Sequence, residues 1–337
     1  MGRFGRLGAV AFSAILIGVA AFSLPSAVSW SLRFGSKPPA PTQFPVSVDP
    51  TMKTIVENAA ADALFARNPQ SPFQAAVANA DDAVREAFSR LASAVSAAPW
   101  YQNLASVAGI DTRVVTIESG MRKEQVANAF GDALDWNGAE KEAFLSPAAS
   151  STLPLAEGSF APGTYAVVGG MTPAQAQTLV NRRFTADVLD HYGPETAAVV
   201  PLDEALTVAS LIQREAGGSG DMRAISGIIW NRLFAGMRLQ IDATVQYAKA
   251  NSPKVPSWWP TVLPRDLFRA SSYNTYLNAG LPPTPIANPS VAAVLAALNP
   301  VRTSCMYYFH DNAGRFHCTD TYEEHVALLK KYFGRGK

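Results

Sequence analysis

The sequence predicts an α+β protein in which an N-terminal transmembrane helix and a helical spacer precede a small βααβ subdomain and a larger mixed α+β domain. Three observations carry this expectation. One uncharged stretch is long enough to cross a bilayer; a strand-like alternation is followed by two amphipathic helices and a second alternation; and a run of helices is then broken by a long proline- and glycine-rich loop and a terminal hairpin. With 337 residues the chain can hold several domains, and 28 basic against 27 acidic side chains name no partner by charge. No basic stripe or zinc-finger spacing is present, so nucleic acid is not an expected partner.

Arg3 and Arg6 precede "LGAVAFSAILIGVAAFSLPSAVSW", uncharged from Leu7 to Trp30. A cleaved export signal has a shorter apolar core and a small-residue cleavage site, which "SLPSAVS" offers. The run continues to the interfacial residue Trp30 before Arg33 and Lys37, which favours an uncleaved anchor with the arginines inside. Residues 1–34 are therefore read as a cytoplasmic N-terminus and single-pass anchor in the cell (inner) membrane, with the rest extracytoplasmic; either reading exports the body of the protein. "GSKPPAPTQFPVSVDP", residues 35–50, reads as an extended tether. Residues 51–110 are alanine-rich and predict two helices, in "TIVENAAADALFARN" and "FQAAVANADDAVREAFSRLASAVS", with no catalytic constellation.

In residues 111–185, "TRVVTIES" alternates as a strand, "GMRKEQVANAFGDAL" and "NGAEKEAFLS" are helical, and "GTYAVVGG" is a second strand. "TPAQAQTLVNRRFTADVLDHY" opens a further helix, with Thr172 before Pro173 at the first helical position. Residues 186–337 begin with the helix ending in "ASLIQREAGG" and continue with "DMRAISGIIWNRLFAG". "MRLQIDATVQYA" alternates in part, and a strand there would put Gln240, Asp242 and Thr244 on one face. "SSYNTYLNAGLPPTPIANPS" is a long loop holding Tyr273, Asn274, Thr275 and Tyr276, a composition that lines sites more often than cores. The helix "VAAVLAALN", a hairpin "CMYYFHDNAGRFHCTDT" turning at Asp311 to Gly314, and a last helix complete the chain.

Glu215 is the residue that asks for an explanation. On a helix it shares a stripe with Val208, Leu211 and Ile212, while Gln213 and Arg214 point away. Gly217 and Gly218 mark a helix C-terminus, where the dipole is negative. Desolvation and that dipole raise a carboxyl pKa, as a general acid needs. The ordinary alternative is a helix-end glutamate that is exposed or paired with arginine.

Three of the four histidines, His310, His317 and His325, lie near the C-terminus, but their spacing is not that of a zinc site, and His310 and His317 fall on opposite hairpin faces. No metal or other cofactor is expected. Cys305 and Cys318 flank the hairpin on one side and could be bonded; alternatively Cys318 is a nucleophile, lacking an evident base and oxyanion hole. Ser210 is not in a GxSxG elbow, and no glycine-rich phosphate loop occurs. What remains is Glu215 with Gln240, Asp242, Tyr273, Asn274 and Tyr276, and Thr244 beside them: one acid, groups to bond sugar hydroxyls, and aromatic faces. That is the inventory of a carbohydrate cleft.

"LTVASLIQREAG", "IIWNRLFAGMRLQIDATVQYA", "SSYNTYLNAGLPPTPIANPS", "AALNP" and "TDTYEEH", in this order over roughly residues 200–325, resemble the MltG-type (YceG-like) endolytic murein transglycosylases. "LAEGSFAPGTYAV" is similar to the Glu-Gly to Thr-Tyr junction of that family's LysM-like subdomain. The resemblance implies that Glu215 is the catalytic acid, Gln213 standing at the helix's other acidic position. It implies a lyase that cleaves the β-1,4 bond between MurNAc and GlcNAc in peptidoglycan strands and leaves 1,6-anhydroMurNAc ends, one carboxyl serving as acid and then as base. A role in ending nascent strands beside peptidoglycan synthases follows from the same likeness. Asp242 would stabilise the transition state or bond a sugar hydroxyl, and Tyr273 would line the cleft or pack in the core. Departures are Val326 where asparagine is common, Cys305 and Cys318 at positions that are often aromatic, and residues 51–98, which have no counterpart. The rival expectations are a non-catalytic cell-wall binding protein and a hydrolysing muramidase.

Overall fold

Two buried apolar clusters organise the chain from Gln43 onward, which forms one unit. The computed structural model describes residues 42–56, 58–67, 112–146, 156–252, 255 and 257–334. The expected anchor, the tether before residue 42 and the second alanine-rich helix, over 73–96, lie outside the described residues. Among those described, no helix is long and apolar enough to cross a membrane.

The segment read as a tether is a strap on the larger core. Phe44 and Val48 are only 3% and 2% exposed. The Ser47 hydroxyl donates to Asn299 Oδ1 (2.8 Å), and Asn299 Nδ2 donates to the Pro45 carbonyl (2.7 Å). Proline-rich composition does keep the backbone extended, but it hides two apolar anchors spaced along it. Strands β1 (Val48–Asp49) and β2 (Thr54–Ile55) then pair as a short hairpin, so Thr54 and Ile55 belong to a strand and not to the predicted helix. That helix, α1, covers Ala59–Arg67.

The smaller cluster sits in the predicted βααβ unit: β3 (Thr112–Ile117), α2 (Lys123–Leu134), α3 (Gly138–Leu145) and β4 (Gly163–Val168). The strands pair antiparallel from Thr112 opposite Val168 to Ile117 opposite Gly163. Tyr165 and Val167 point inward while Thr164, Ala166 and Val168 face out, the alternation of a sheet covered on one side. Phe130 centres the cluster, its ring 5.0 Å from Phe144 and 5.9 Å from Tyr165. Next comes α4 (Pro173–Asp187), capped by Thr172, whose hydroxyl accepts from the Gln175 amide. It bridges the two clusters, with Ala176 and Val180 in the small one and Phe184 in the large one.

After the short α5 (Pro194–Val199), the larger cluster is built on α6 (Leu202–Glu215), α7 (Met222–Phe234), α8 (Asp242–Ala250) and α9 (Val291–Leu298). Apolar on every side, α9 is placed centrally, with Ala293 through Leu298 all buried. It packs on α6, where Val208, Ala209, Leu211 and Ile212 are fully buried. Each large aliphatic side chain buried this way is worth roughly 1.5–3 kcal/mol. The Trp230 indole of α7 donates to the Ala297 carbonyl at 2.9 Å and ties a third helix to the pair.

The strand expected around Gln240 is absent: Gln240 has φ +51° and a helix starts at Asp242. Ile241 and Val245, four apart and 3% and 0% exposed, supply a helical period inside what looks like alternation. Asp242 also suits the positive end of a helix. Gln240, Asp242 and Thr244 therefore share no strand face. The hairpin forms as expected, from β5 (Tyr307–His310) and β6 (Phe316–Thr319), followed by α10 (Tyr322–Phe333). Cys305 and Cys318 are joined in a disulfide.

Asn288, fully buried, stitches the two clusters together. Its Oδ1 accepts from the Gly158 (2.9 Å) and Phe160 (3.0 Å) amides, and its Nδ2 donates to the Met121 carbonyl (2.9 Å).

Candidate active site

The apolar stripe of α6 runs through Val208, Leu211 and Ile212 to Glu215, the last helical residue. Its neighbours are pinned outside the stripe. Gln213 Oε1 accepts from the amide (3.0 Å) and hydroxyl (2.8 Å) of Ser290, and the Arg214 guanidinium lies 4.0 Å over the Trp259 ring. The helix does not end on a left-handed glycine, since Ala216 is extended. Gly217 serves for room: a Cβ there would come within 3.2 Å of the His310 ring, and its amide donates to Asp221 Oδ2 (2.9 Å).

Facing α6, strand β5 presents Tyr308, whose hydroxyl donates to Glu215 Oε2 at 2.7 Å. The Ala243 amide, at the start of α8, is a second donor to Glu215. Desolvation raises the Glu215 carboxyl, and the negative charge of Asp242 adds to the rise; the two hydrogen bonds and the His310 charge oppose it without reversing it. Tyr308 is itself pushed well above the usual phenol range, first by burial and then by the charge of Glu215, so it stays a neutral donor. Arg232 braces this wall: Nε donates to the Met306 carbonyl (2.6 Å) and Nη1 to the Leu239 carbonyl, joining the hairpin to the segment before α8.

Asp242 is exposed beside this pair, and its Oδ1 accepts from the Tyr276 hydroxyl at 2.6 Å. Burial, then the Asp242 hydrogen bond, hold that phenol above its ordinary range. Two carboxylates, each held by a tyrosine, thus stand on one wall.

The other residues expected at the site take different positions. Gln240 is exposed, and its amide donates to the Thr275 carbonyl (3.2 Å). Thr244 is fully buried, its hydroxyl donating to the Ile241 carbonyl (2.6 Å) and meeting Thr275 Oγ1 (3.0 Å). Asn274, also fully buried, donates to the carbonyls of Leu267 (3.0 Å) and Arg269 (2.8 Å) and accepts from the Tyr276 amide (2.9 Å). It folds the loop that delivers Tyr276. Tyr273 is half-buried, its hydroxyl 2.8 Å from Thr284 Oγ1 and its ring 4.8 Å from that of Tyr247. Sequence reasoning missed Tyr308, Arg232 and Asp221 and weighed His310 only as a metal ligand. The available signal was that Tyr308 and His310 share one face of a strand; nothing local says that this face meets a residue 93 positions away.

Among the described residues no group of three His, Cys, Asp or Glu is arranged to hold a metal. His310 meets Asp221 (2.5 Å) and His317 meets Asp311 (3.0 Å) on separate faces of the hairpin. The disulfide removes Cys318 as a nucleophile. A cavity of about 650 Å³ between the small unit and the α6–α9 pair is lined by Glu118, Arg183, Asp187 and Ser290, and Glu215 is not in its wall.

The same constellation can be set against known proteins. The endolytic murein transglycosylase of Bacillus subtilis (strain 168) is 39% identical over 133 residues, 40% of this chain and 35% of that protein. The endolytic murein transglycosylase of Streptococcus pneumoniae serotype 2 (strain D39) is 28% identical over 173 residues, 50% of this chain and 31% of that protein. The matched part is thus about a third of the length of these relatives. A crystal structure of a YceG-like protein from Listeria monocytogenes superposes with a TM-score of 0.55 at 27% identity, covering 64% of this chain and 75% of that one. The sequence model of the YceG-like family matches residues 44–331, from the strap at Phe44 into the last helix, and the chain belongs to that family.

Proposed function

We propose that this chain is a membrane-anchored endolytic lytic transglycosylase of peptidoglycan, cutting between MurNAc and GlcNAc and leaving 1,6-anhydroMurNAc ends. The observation that carries the reading is Glu215: a carboxyl whose pKa is raised by desolvation at the end of the central helix, oriented by Tyr308, in a family whose curated relatives are endolytic murein transglycosylases.

Two proton transfers are needed. The leaving O4 of GlcNAc must receive a proton, and the MurNAc C6 hydroxyl must lose one as O6 closes on the anomeric carbon. Glu215 is the donor to O4, and one carboxyl can perform both steps in turn. Tyr308, a permanent donor, steadies the carboxylate formed at mid-reaction. Asp242 and Tyr276 hold sugar hydroxyls beside the acid, with exposed Gln240 at the rim and Tyr273 as a packed support. Thr244 and Asn274 act through the loop and helix they shape. The βααβ unit is read as a LysM-like glycan-holding module, and the uncharged segment Leu7–Trp30 as the anchor, which confines cutting to strands near the membrane and raises effective concentration there. Peptidoglycan synthases at that surface would be natural partners, with the enzyme ending nascent strands.

The test is to incubate the full chain, in detergent, with purified peptidoglycan and to analyse the muropeptides by mass spectrometry beside Glu215→Gln. Anhydro ends, one water lighter than reducing ends, are expected from the parent and should fall roughly 10³-fold in the variant. The electrostatic coupling of Asp242 to Glu215 favours one second reading, a hydrolysing muramidase with two carboxylates. Reducing ends in place of anhydro ends would select it. A folded parent that cuts nothing would leave a cell-wall binding protein.

A further inference from the structure

The geometry points to His310, oriented by Asp221, as the general base that takes the C6 hydroxyl proton, leaving Glu215 to act as the acid alone. This rests on the transglycosylase reading above and divides between two residues the two proton transfers that one carboxyl was expected to perform.

The argument begins with the ring's orientation. His310 Nε2 lies 2.5 Å from Asp221 Oδ2, and the Asp221 carboxylate is itself fixed by the amides of Gly217 (2.9 Å) and Gly218 (3.2 Å). An ionised carboxylate only accepts, so Nε2 carries the hydrogen and Nδ1 carries the lone pair in the neutral ring. The Cδ2 and Nε2 atoms are the ones that a Gly217 Cβ would meet, both at 3.2 Å. That edge is against the 216–221 loop, and the Nδ1 edge is turned away from it. Nδ1 has no protein partner among the described residues, and 24% of the side chain is exposed. A carboxylate that fixes one nitrogen and leaves the other to work is the arrangement by which histidine bases are oriented.

His310 also stands on the correct wall. It lies two residues beyond Tyr308 on β5, so both side chains project from one face of the hairpin, and Tyr308 is bonded to Glu215. The cross-strand neighbour on that face is Phe316, its ring edge-on to the imidazole at 5.6 Å. The titratable groups facing His310 are Asp221 from the start of α7, Glu215 from the end of α6 and Tyr308 from its own strand, with Asp242 beyond Glu215. In a 1,6-anhydro sugar the O6 bridge occupies the ring face from which a β-linked leaving group departs. Acid and base must therefore share one wall, as Glu215 and His310 do.

The step balances without a further reactant. The C1–O4 bond breaks, and O4 takes the Glu215 proton. The C1–O6 bond forms, and the O6 proton passes to His310 Nδ1. The imidazolium then returns a proton to the Glu215 carboxylate and resets the site.

The experiment compares the full parent chain with His310→Ala and His310→Gln, scoring anhydro ends from purified peptidoglycan across pH, with and without millimolar imidazole. In the parent, kcat/KM should fall on the acid side as the base protonates and on the alkaline side as Glu215 ionises. Both variants should lose roughly 100-fold in kcat with KM within about threefold and lose the acid limb, and free imidazole should restore His310→Ala. His310→Gln keeps a polar contact to Asp221, and unfolding temperatures of the two variants separate misfolding from lost chemistry. Parent-like kcat with the acid limb retained, or a folded His310→Ala whose loss imidazole cannot repair, would overturn the base role while leaving the transglycosylase reading in place. A parent that forms no anhydro ends would overturn that reading, and the base role with it.

Discussion

Among the described residues, Glu157 and Glu215 are both carboxyls raised by desolvation, and the contrast between them separates chemistry from architecture. Glu157, 6% exposed, lies where the small unit meets the larger core. Its Oε1 accepts from the Lys123 amide (2.9 Å) and Asn288 Nδ2 (3.2 Å), and its Oε2 from the Tyr247 hydroxyl (3.3 Å). Desolvation, helped by the charge of Glu124, raises its carboxyl to about 7. Glu215 is raised by the same main cause but keeps part of its surface open, beside Asp242, Tyr276 and His310. A raised carboxyl pKa is thus no signature of a catalytic acid. The difference lies in access: both carboxyls accept from donors of the fold, but Glu157 is closed off where the two clusters meet, whereas Glu215 is partly open beside exposed Asp242.

The comparison would break first at Glu157. Its folded value, about 7, lies above the ordinary 4.5, so the folded state binds more protons and stability falls as pH rises through that window. The contribution is complete below pH 4.5 and lost above about 7, and the rise corresponds to about 3 kcal/mol. Chemical denaturation at pH 5 and pH 8.5 should show Glu157→Gln losing less stability than the parent at the higher pH, the remaining loss coming from Glu215, Asp187 and Glu204, which desolvation also raises, and anhydro-end formation should stay within about twofold of the parent. Loss of cleavage in the folded variant would erase the distinction between the two glutamates.

Tyr308→Phe sharpens the other side. Without the phenol's hydrogen bond the Glu215 carboxyl rises further, so the alkaline limb of kcat/KM should move to higher pH while kcat falls about tenfold. An unmoved limb would mean that Tyr308 only packs. The smallest effect is expected from Asp242→Asn: removing the charge that raises Glu215 should draw the alkaline limb to lower pH, with a rate change of about two- to threefold. A loss of 100-fold or more would instead make Asp242 a direct participant at the anomeric carbon.

Much of this was legible before any coordinates. The α6 stripe ending in Glu215, the all-apolar α9, the βααβ order and the hairpin turn at Asp311 to Gly314 are each written in short-range periodicity and turn chemistry, which act over a few residues. The ordered blocks around Glu215 carried the family likeness in the same local way. Where two local periods overlapped, reading failed: around Ile241 and Val245 a strand-like alternation concealed a helix start, and around Phe44 and Val48 proline content concealed a docked strap.

By itself, then, the sequence determined the helices whose apolar period stands alone, such as α6 and α9, and that a carboxyl would finish a buried stripe. Only the tertiary structure decided what that carboxyl meets. Tyr308 and Asp242 reach Glu215, and Asp221 meets His310, across chain separations set by how helices and hairpin pack on one core. The same packing sent Thr244 and Asn274 inward to complete hydrogen bonds that a buried loop cannot leave unmade. Periodicity is a property of neighbours in sequence, whereas desolvation and hydrogen-bond partnership are properties of neighbours in space.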